Sequence, residues 1–387
     1  MKIAFIAPAS YPVVYGGSEI SVFYFARELA SKGHEIYIIT LDSSGTTIEE
    51  KIDNIRIKRY PLKRNFIKKI KIFLDMNKYI SRNKFDIIHF YGLGVLPLSY
   101  LIKILNRTKT IVTLNYYHNI CHNQMVLNEG KVCTKCEFFE LLNCSKSIYE
   151  TINIKIYRRL SFMHNKYIVL SKKSIDVFKM LGFPENKMSV VPNIIVENPA
   201  IACKEKKNTN TILFTGRLNE NKGVDILIMA LSKIRREIKD IKCYIVGSGP
   251  ELSNLKKMAH LMEVEDLIVF TGFVDHSKLE SYYLQSDVFV FPVRWIEPFG
   301  RSLLEAMNYG LPSVVSDTVD PDFIGDAAMI FKNNDWNDLA EKIVLLLSNP
   351  YEREILANSA KKRVRNYTPE KIIPCLEKVY GSLFLMT

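Results

Sequence analysis

The chain has 387 residues, 48% of them apolar and 24% charged, with a net charge of +12. That length exceeds one ordinary domain and suits two of nearly equal size, and the apolar fraction excludes a disordered chain. No run reaches the roughly 18 apolar residues of a membrane-crossing helix, because the nearest, 91–105, contains Pro97 and Lys103.

The apolar run at 2–8 is too short for a signal peptide and reads as a buried first strand, so the expected location is cytoplasmic, at most peripheral on the inner face of the cell membrane. Further strands are expected near 35–40, 55–60, 87–90, 110–114 and 167–170, with a helix over 19–31 that closes at Gly33. Strands alternating with helices imply a parallel sheet covered on both faces.

Between 51 and 84 the chain carries twelve Lys and Arg residues against Asp53 and Asp75. Phe66, Ile67, Ile70, Ile72, Phe73 and Leu74 interleave with the basic positions as in an interfacial helix, which points to an anionic membrane surface as partner. A solvated basic face is the competing reading, and no module for nucleic acid accompanies the charge.

After the strand at 110–114 come Asn115, Tyr116 and His118, and then an insertion with Cys121, Cys133, Cys136 and Cys144. A Cys-x-x-Cys core in a chain with no sign of secretion favours a structural zinc over disulfides, with reduced thiols as the alternative and His118 and His122 as rival ligands. Cys203, Cys243 and Cys375 are isolated.

A polar stretch at 197–210 reads as a linker, and the strand–helix scheme then repeats from 211 to about 368. In 212–225 a strand enters a turn holding Gly216, Arg217, Lys222 and Gly223, then an apolar-faced helix. A planar fork and a point charge on one loop match the two phosphates of a diphosphate, although surface cations on an ordinary loop would look the same. Gly247-Ser248-Gly249 lacks the third glycine and the acidic partner of a dinucleotide fingerprint. In 286–305 a buried strand ends at Pro292, Glu297 and Glu305 flank a helix start, and the amides of Phe299, Gly300 and Arg301 there would face a phosphate or sugar oxygen of a donor. Glu305, more than a turn inside the helix, gains nothing from the helix dipole, and ribose hydroxyls are one reason for a carboxylate there.

These motifs together resemble the retaining glycosyltransferases of the GT-B fold, in the family 4 group that includes sucrose synthases, mannosyltransferases and bacterial polysaccharide glycosyltransferases. The resemblance rests on Gly16-Gly17-Ser18-Glu19, Val191-Pro192-Asn193, Gly216-Arg217 with Lys222-Gly223, Thr271-Gly272-Phe273-Val274 and the pair Glu297 and Glu305. It implies two Rossmann-like domains facing a cleft: 1–196 for the acceptor, with a terminal helix at 370–387 packing back on it, and 197–369 for the donor.

The same resemblance implies that Arg217 and Lys222 bind the donor diphosphate, Glu297 the sugar, Glu305 the ribose, and Gly272 and Phe273 the base. Gly16 and Gly17 would approach the phosphates from the other domain. The implied reaction moves a hexose, with retention, from a UDP- or GDP-sugar to a glycan or lipid-linked acceptor, and needs no catalytic cofactor. Where many relatives carry His-Asp this chain has Asn115 and Tyr116, so Asn115 and His118 are the acceptor-side candidates. The second reading this departure raises is a catalytically weak, nucleotide-sugar- or lipid-binding subunit.

Overall fold

In the computed structural model, the described residues are 1–7, 17–42, 46–61, 66–92, 96–117, 119–123, 125–128, 131–133, 136–196 and 210–385. They form two units, one of residues 1–194 with 369–387 and the other of residues 195–368. No helix among them is long and apolar enough to cross a membrane.

The first unit is built on an eight-stranded sheet. Its strands are β1 (Lys2–Ala7), β2 (Glu35–Asp42), β3 (Ile48–Ile52), β4 (Ile55–Pro61), β5 (Ile87–Tyr91), β6 (Lys109–Leu114), β9 (Lys166–Val169) and β10 (Met188–Val190), and a separate small hairpin pairs β7 (Leu127–Asn128) with β8 (Lys131–Val132). The order is β10-β9-β6-β5-β1-β2-β4-β3. All neighbours run parallel except β3 and β4. The inner strands read as continuous apolar runs because both faces are covered; Ile3, Ala4 and Phe5 are fully buried. The helices are α1 (Gly17–Ser31), α2 (Phe66–Asn83), α3 (Leu96–Asn106), α4 (Phe138–Ser145), α5 (Ile148–Ser161) and α6 (Lys172–Met180).

A last helix, α14 (Pro369–Ser382), packs on this unit against α1. Its Glu377 pairs with Lys32 at 2.9 Å and with His34 at 3.1 Å. Its Tyr380 hydroxyl lies 2.8 Å from Nδ1 of His89, whose Nε2 lies 2.7 Å from Thr113 Oγ1. Burial drives the His89 imidazole down to about 3, so it bridges helix and sheet as a neutral ring.

The second unit carries a six-stranded parallel sheet in the order β13-β12-β11-β14-β15-β16. The strands are β11 (Thr211–Thr215), β12 (Lys242–Val246), β13 (Ile268–Gly272), β14 (Val288–Phe291), β15 (Ser313–Ser316) and β16 (Ala328–Phe331). Helices α7 (Val224–Glu237), α8 (Leu252–Leu261), α9 (Leu279–Gln285), α10 (Arg301–Asn308), α11 (Pro321–Ile324), α12 (Trp336–Ser348) and α13 (Pro350–Val364) connect them. Ile226, Leu227, Ile228, Leu231 and Ile234 of α7 are wholly buried with β11, β12 and α12 in one core. The order changes direction between β11 and β14, the position where sheets of this type open a crevice at the carboxyl ends of their strands.

Candidate active site

The loop after β11 is shaped by close backbone approach. Gly223 has φ +64°, and a Cβ there would stand 1.9 Å from the Pro292 carbonyl oxygen. Only glycine permits both, and it ends the turn Glu220–Lys222 so that α7 starts at once. Glycines 247 and 249 serve this same loop: Cβ atoms on them would lie 1.9 Å from the Gly216 oxygen and 2.3 Å from the Leu218 oxygen. The GxG motif is therefore a packing device in which Leu218 N donates to the Ser248 carbonyl at 2.9 Å.

Lys222 is thereby set against the loop after β14. Its Nζ lies 2.5 Å from Glu297 Oε2, with both side chains mostly buried. The indole Nε1 of Trp295 donates to that same oxygen at 2.6 Å, and Lys222 Nζ stands 5.2 Å from the indole centroid. Arg217 is exposed on the same loop as Lys222.

Eight residues past Glu297, Glu305 is 7% exposed in α10. Its Oε1 accepts from Arg301 Nε at 3.1 Å and His276 Nε2 at 3.0 Å, and its Oε2 from the Tyr283 hydroxyl at 3.1 Å. Burial by itself raises this carboxyl, but the His276 hydrogen bond and the Arg301 charge, with Tyr283, outweigh it and hold Glu305 below the usual carboxylate range. Tyr283 is held in turn by Thr215 Oγ1 at 2.9 Å and stacks on Tyr309.

Gly300, where a Cβ would meet the Phe291 ring at 2.8 Å, lets α10 start tight against β14. The Phe299 side chain packs on Phe323 with centroids 4.3 Å apart, and Arg301 Nε donates to Glu305, which leaves the backbone amides of this helix start as the groups expected to meet the donor. Gly272 ends β13 at φ +73°, and Phe273 beside it is 62% exposed.

In the first unit, Asn115 Nδ2 donates to Ser18 Oγ at 2.9 Å, while Asn115 Oδ1 is buried with no hydrogen-bond partner among the described residues. Gly17 opens α1; Gly16 and His118 lie outside the described residues.

Among the described residues no three His, Cys, Asp or Glu side chains stand where they could hold an ion. Cys121 donates to Asn123 and Cys136 Sγ accepts from the buried Arg158 at 2.9 Å, while burial together with Cys121, Cys136 and Cys144 pushes the Cys133 thiol up to about 12. His122 pairs with Glu150. Cys121, Cys133, Cys136 and Cys144 are not joined in disulfides, and the other three lie near enough to act on the Cys133 thiol.

The basic stretch is also partly compensated. Arg59, 3% exposed, binds Glu50 at 2.7 Å, and Lys58 binds Glu49. Both acidic partners lie on β3, just before the stretch begins, where a count starting at Lys51 misses them. Among the described side chains of the stretch, Ile70 and Leu74 on α2 stay exposed.

Two family models match consecutive parts of the chain: Glycosyltransferase Family 4 over residues 15–197, and Glycosyl transferases group 1 over residues 200–363. The chain belongs to the GT-B glycosyltransferases of this type. A glycosyltransferase of Methanocaldococcus jannaschii, itself uncharacterized, is 28% identical, covering 94% of this chain and 93% of the relative. The alpha-monoglucosyldiacylglycerol synthase of Acholeplasma laidlawii is 24% identical over 99% and 97%. Among solved structures, sucrose-phosphate synthase from Thermosynechococcus elongatus superimposes with a TM-score of 0.78 at 18% identity, covering 100% of both chains. Anabaena HepE in complex with UDP-glucose gives 0.74 at 15% identity, again over 100% of both.

As a glycosyltransferase, the chain holds Lys222, Glu297, Trp295 and the Glu305 set on one sheet. Motif reading found Lys222, Glu297 and Glu305. It gave no role to Trp295, two residues before Glu297, and missed His276 and Tyr283, which reach Glu305 from 29 and 22 residues away with no local pattern to announce them.

Proposed function

We propose that this glycosyltransferase moves a hexose, with retention, from a UDP- or GDP-sugar to a glycan or lipid-linked acceptor in cell-surface polysaccharide or glycolipid synthesis. The observation that carries this reading is the contact between Lys222 and Glu297, a cation and a carboxylate held in one mostly buried place eight residues before Glu305. HepE, a structural neighbour, is described with UDP-glucose, and the Acholeplasma relative is named for glycolipid synthesis.

The diphosphate of the donor draws Lys222 away from Glu297 and is shared between Lys222 and Arg217. Its charge is then neutralised as the bond to the sugar breaks, which is where most of the rate enhancement arises. Glu297, relieved of Lys222 but still held by Trp295, accepts from the sugar hydroxyls, and Glu305 accepts from the ribose. The acceptor enters on the face that the leaving group vacates, so no nucleophilic side chain is required. No metal or other cofactor takes part.

Residues 1–196, with the helix of 370–387, bind the acceptor, and 197–369 bind the donor. Asn115, whose buried Oδ1 lacks a partner among the described residues, takes an acceptor hydroxyl together with His118. The enzyme works in the cytoplasm on the inner face of the membrane, docked through the exposed apolar and basic positions of α2.

Thermal-shift titration with UDP, GDP, ADP and their sugar conjugates tests the reading, since a ligand of the folded state raises the melting temperature by mass action. One nucleotide series should stabilise the protein, lose its effect in Arg217→Ala, and its sugar conjugate should be hydrolysed or transferred by the wild type alone. Binding without turnover would instead favour a nucleotide-sugar-binding subunit.

A further inference from the structure

Glu305 already accepts three hydrogen bonds from the protein, and a carboxylate offers about four acceptor positions. Oε1 is filled by Arg301 and His276, and Oε2 keeps one position beside Tyr283. A ribose brings two neighbouring hydroxyls, so one of the three protein donors must give way.

The three donors differ in freedom. Arg301 sits four residues before Glu305 on the same helix, and its side chain is 7% exposed. Tyr283 is 1% exposed and is locked by Thr215 and by stacking on Tyr309. The His276 side chain is 36% exposed and belongs to the short turn His276–Lys278. That turn is fixed independently of the imidazole, because the Asp275 carboxylate accepts from Ser277 N at 3.0 Å and Ser277 Oγ at 2.7 Å. The imidazole can therefore swing off Glu305 while the turn keeps its shape. A carboxylate only accepts, so His276 Nε2 is the donor, as a hydroxyl would be.

We propose that His276 is a specificity-determining residue of the donor site: it occupies the place on Glu305 Oε1 that a ribose hydroxyl takes, and it leaves when the nucleotide binds. The inference rests on the reading of Glu305 as the ribose acceptor. Each ribonucleotide that binds breaks the bond between His276 and Glu305, which weakens binding. A nucleotide without the hydroxyls leaves that bond intact and is unaffected by it.

The test is isothermal titration of the wild type, His276→Ala, His276→Gln and Glu305→Gln with uridine and guanosine diphosphates and with their 2′,3′-dideoxy counterparts. Melting of each variant without ligand confirms folding. His276→Ala should bind the preferred ribonucleotide roughly 3- to 10-fold more tightly, the worth of one hydrogen bond. It should bind the dideoxy form as the wild type does. His276→Gln, which retains a donor, should stay near the wild type.

Glu305→Gln should abolish the preference for ribose over dideoxyribose. If it does so while His276→Ala binds the ribonucleotide equally or more weakly, the role of His276 is overturned and the ribose reading stands. If the wild type does not distinguish the two sugars, or binds neither base, the ribose reading itself fails and takes the inference with it.

Discussion

Trp295 and Lys222 converge on a single oxygen of Glu297, the indole Nε1 at 2.6 Å and the ammonium Nζ at 2.5 Å. One of these donors is a permanent support and the other is a charge that a diphosphate can draw away. Trp295, 2% exposed, cannot leave its place. On the proposed mechanism Glu297 therefore stays oriented before and after Lys222 moves.

Trp295→Phe keeps most of the buried volume and removes the N–H. A hydrogen bond to a charged group contributes about 1.5–3 kcal/mol. Turnover should fall about 10- to 100-fold, with the affinity for nucleoside diphosphate alone close to that of the wild type. Equal loss of nucleotide affinity and turnover would show that the indole supports the fold of the loop rather than the carboxylate.

Lys222→Ala removes a charge from the diphosphate and should cost about two to three orders of magnitude in turnover. Lys222→Arg should restore little of it. The site is built for a compact ammonium close to Glu297 and the Trp295 ring, and a planar fork does not fit it. Steady-state kinetics of both variants decide the point; substantial recovery in the arginine variant would sink the argument.

The fold class was legible because its signals are local. Buried parallel strands are apolar runs, as in β1 and β14, and α1 announces its end through Gly33. Glu297, Glu305 and Lys222 were legible because their spacing is set within single loops. What lay hidden depends on distant chain. Arg59 was counted as free charge until β3 brought Glu50 to it, and the partners of Glu305 come from His276 and Tyr283, 29 and 22 residues away. The four cysteines near one another in sequence suggested a zinc site. In the fold Arg158, 22 residues on, donates to Cys136, a contact that no spacing announces.

Gly223 carries the geometry that places Lys222. An added methyl meets the Pro292 carbonyl at 1.9 Å, and the residue sits at positive φ besides. Gly223→Ala should therefore destabilise by more than the roughly 1 kcal/mol of the left-handed conformation alone. It should also pull Lys222 away from Glu297. The check is a lowered melting temperature together with weakened nucleotide binding; a variant with wild-type values for both would contradict the placement of this loop.

The neutral bridge made by His89 ties α14 to the first sheet, and its titration predicts how folding responds to acid. In the folded protein the imidazole is driven down to about 3 by burial, whereas the unfolded chain titrates near the ordinary 6.5. The folded pKa is the lower one, so this contribution to stability is complete above 6.5 and is lost as the pH falls toward 3. His164, also held down to about 3 by burial and then by Lys103 and Lys187, acts in the same direction. Each such histidine lowers stability by about 1.4 kcal/mol per pH unit across that window. Calorimetric unfolding at pH 5, in buffers of different ionisation enthalpy, should register the uptake of about one proton for each of the two. His89→Asn should lower that uptake by about one, and an unchanged value would mean that His89 is not held neutral in the fold.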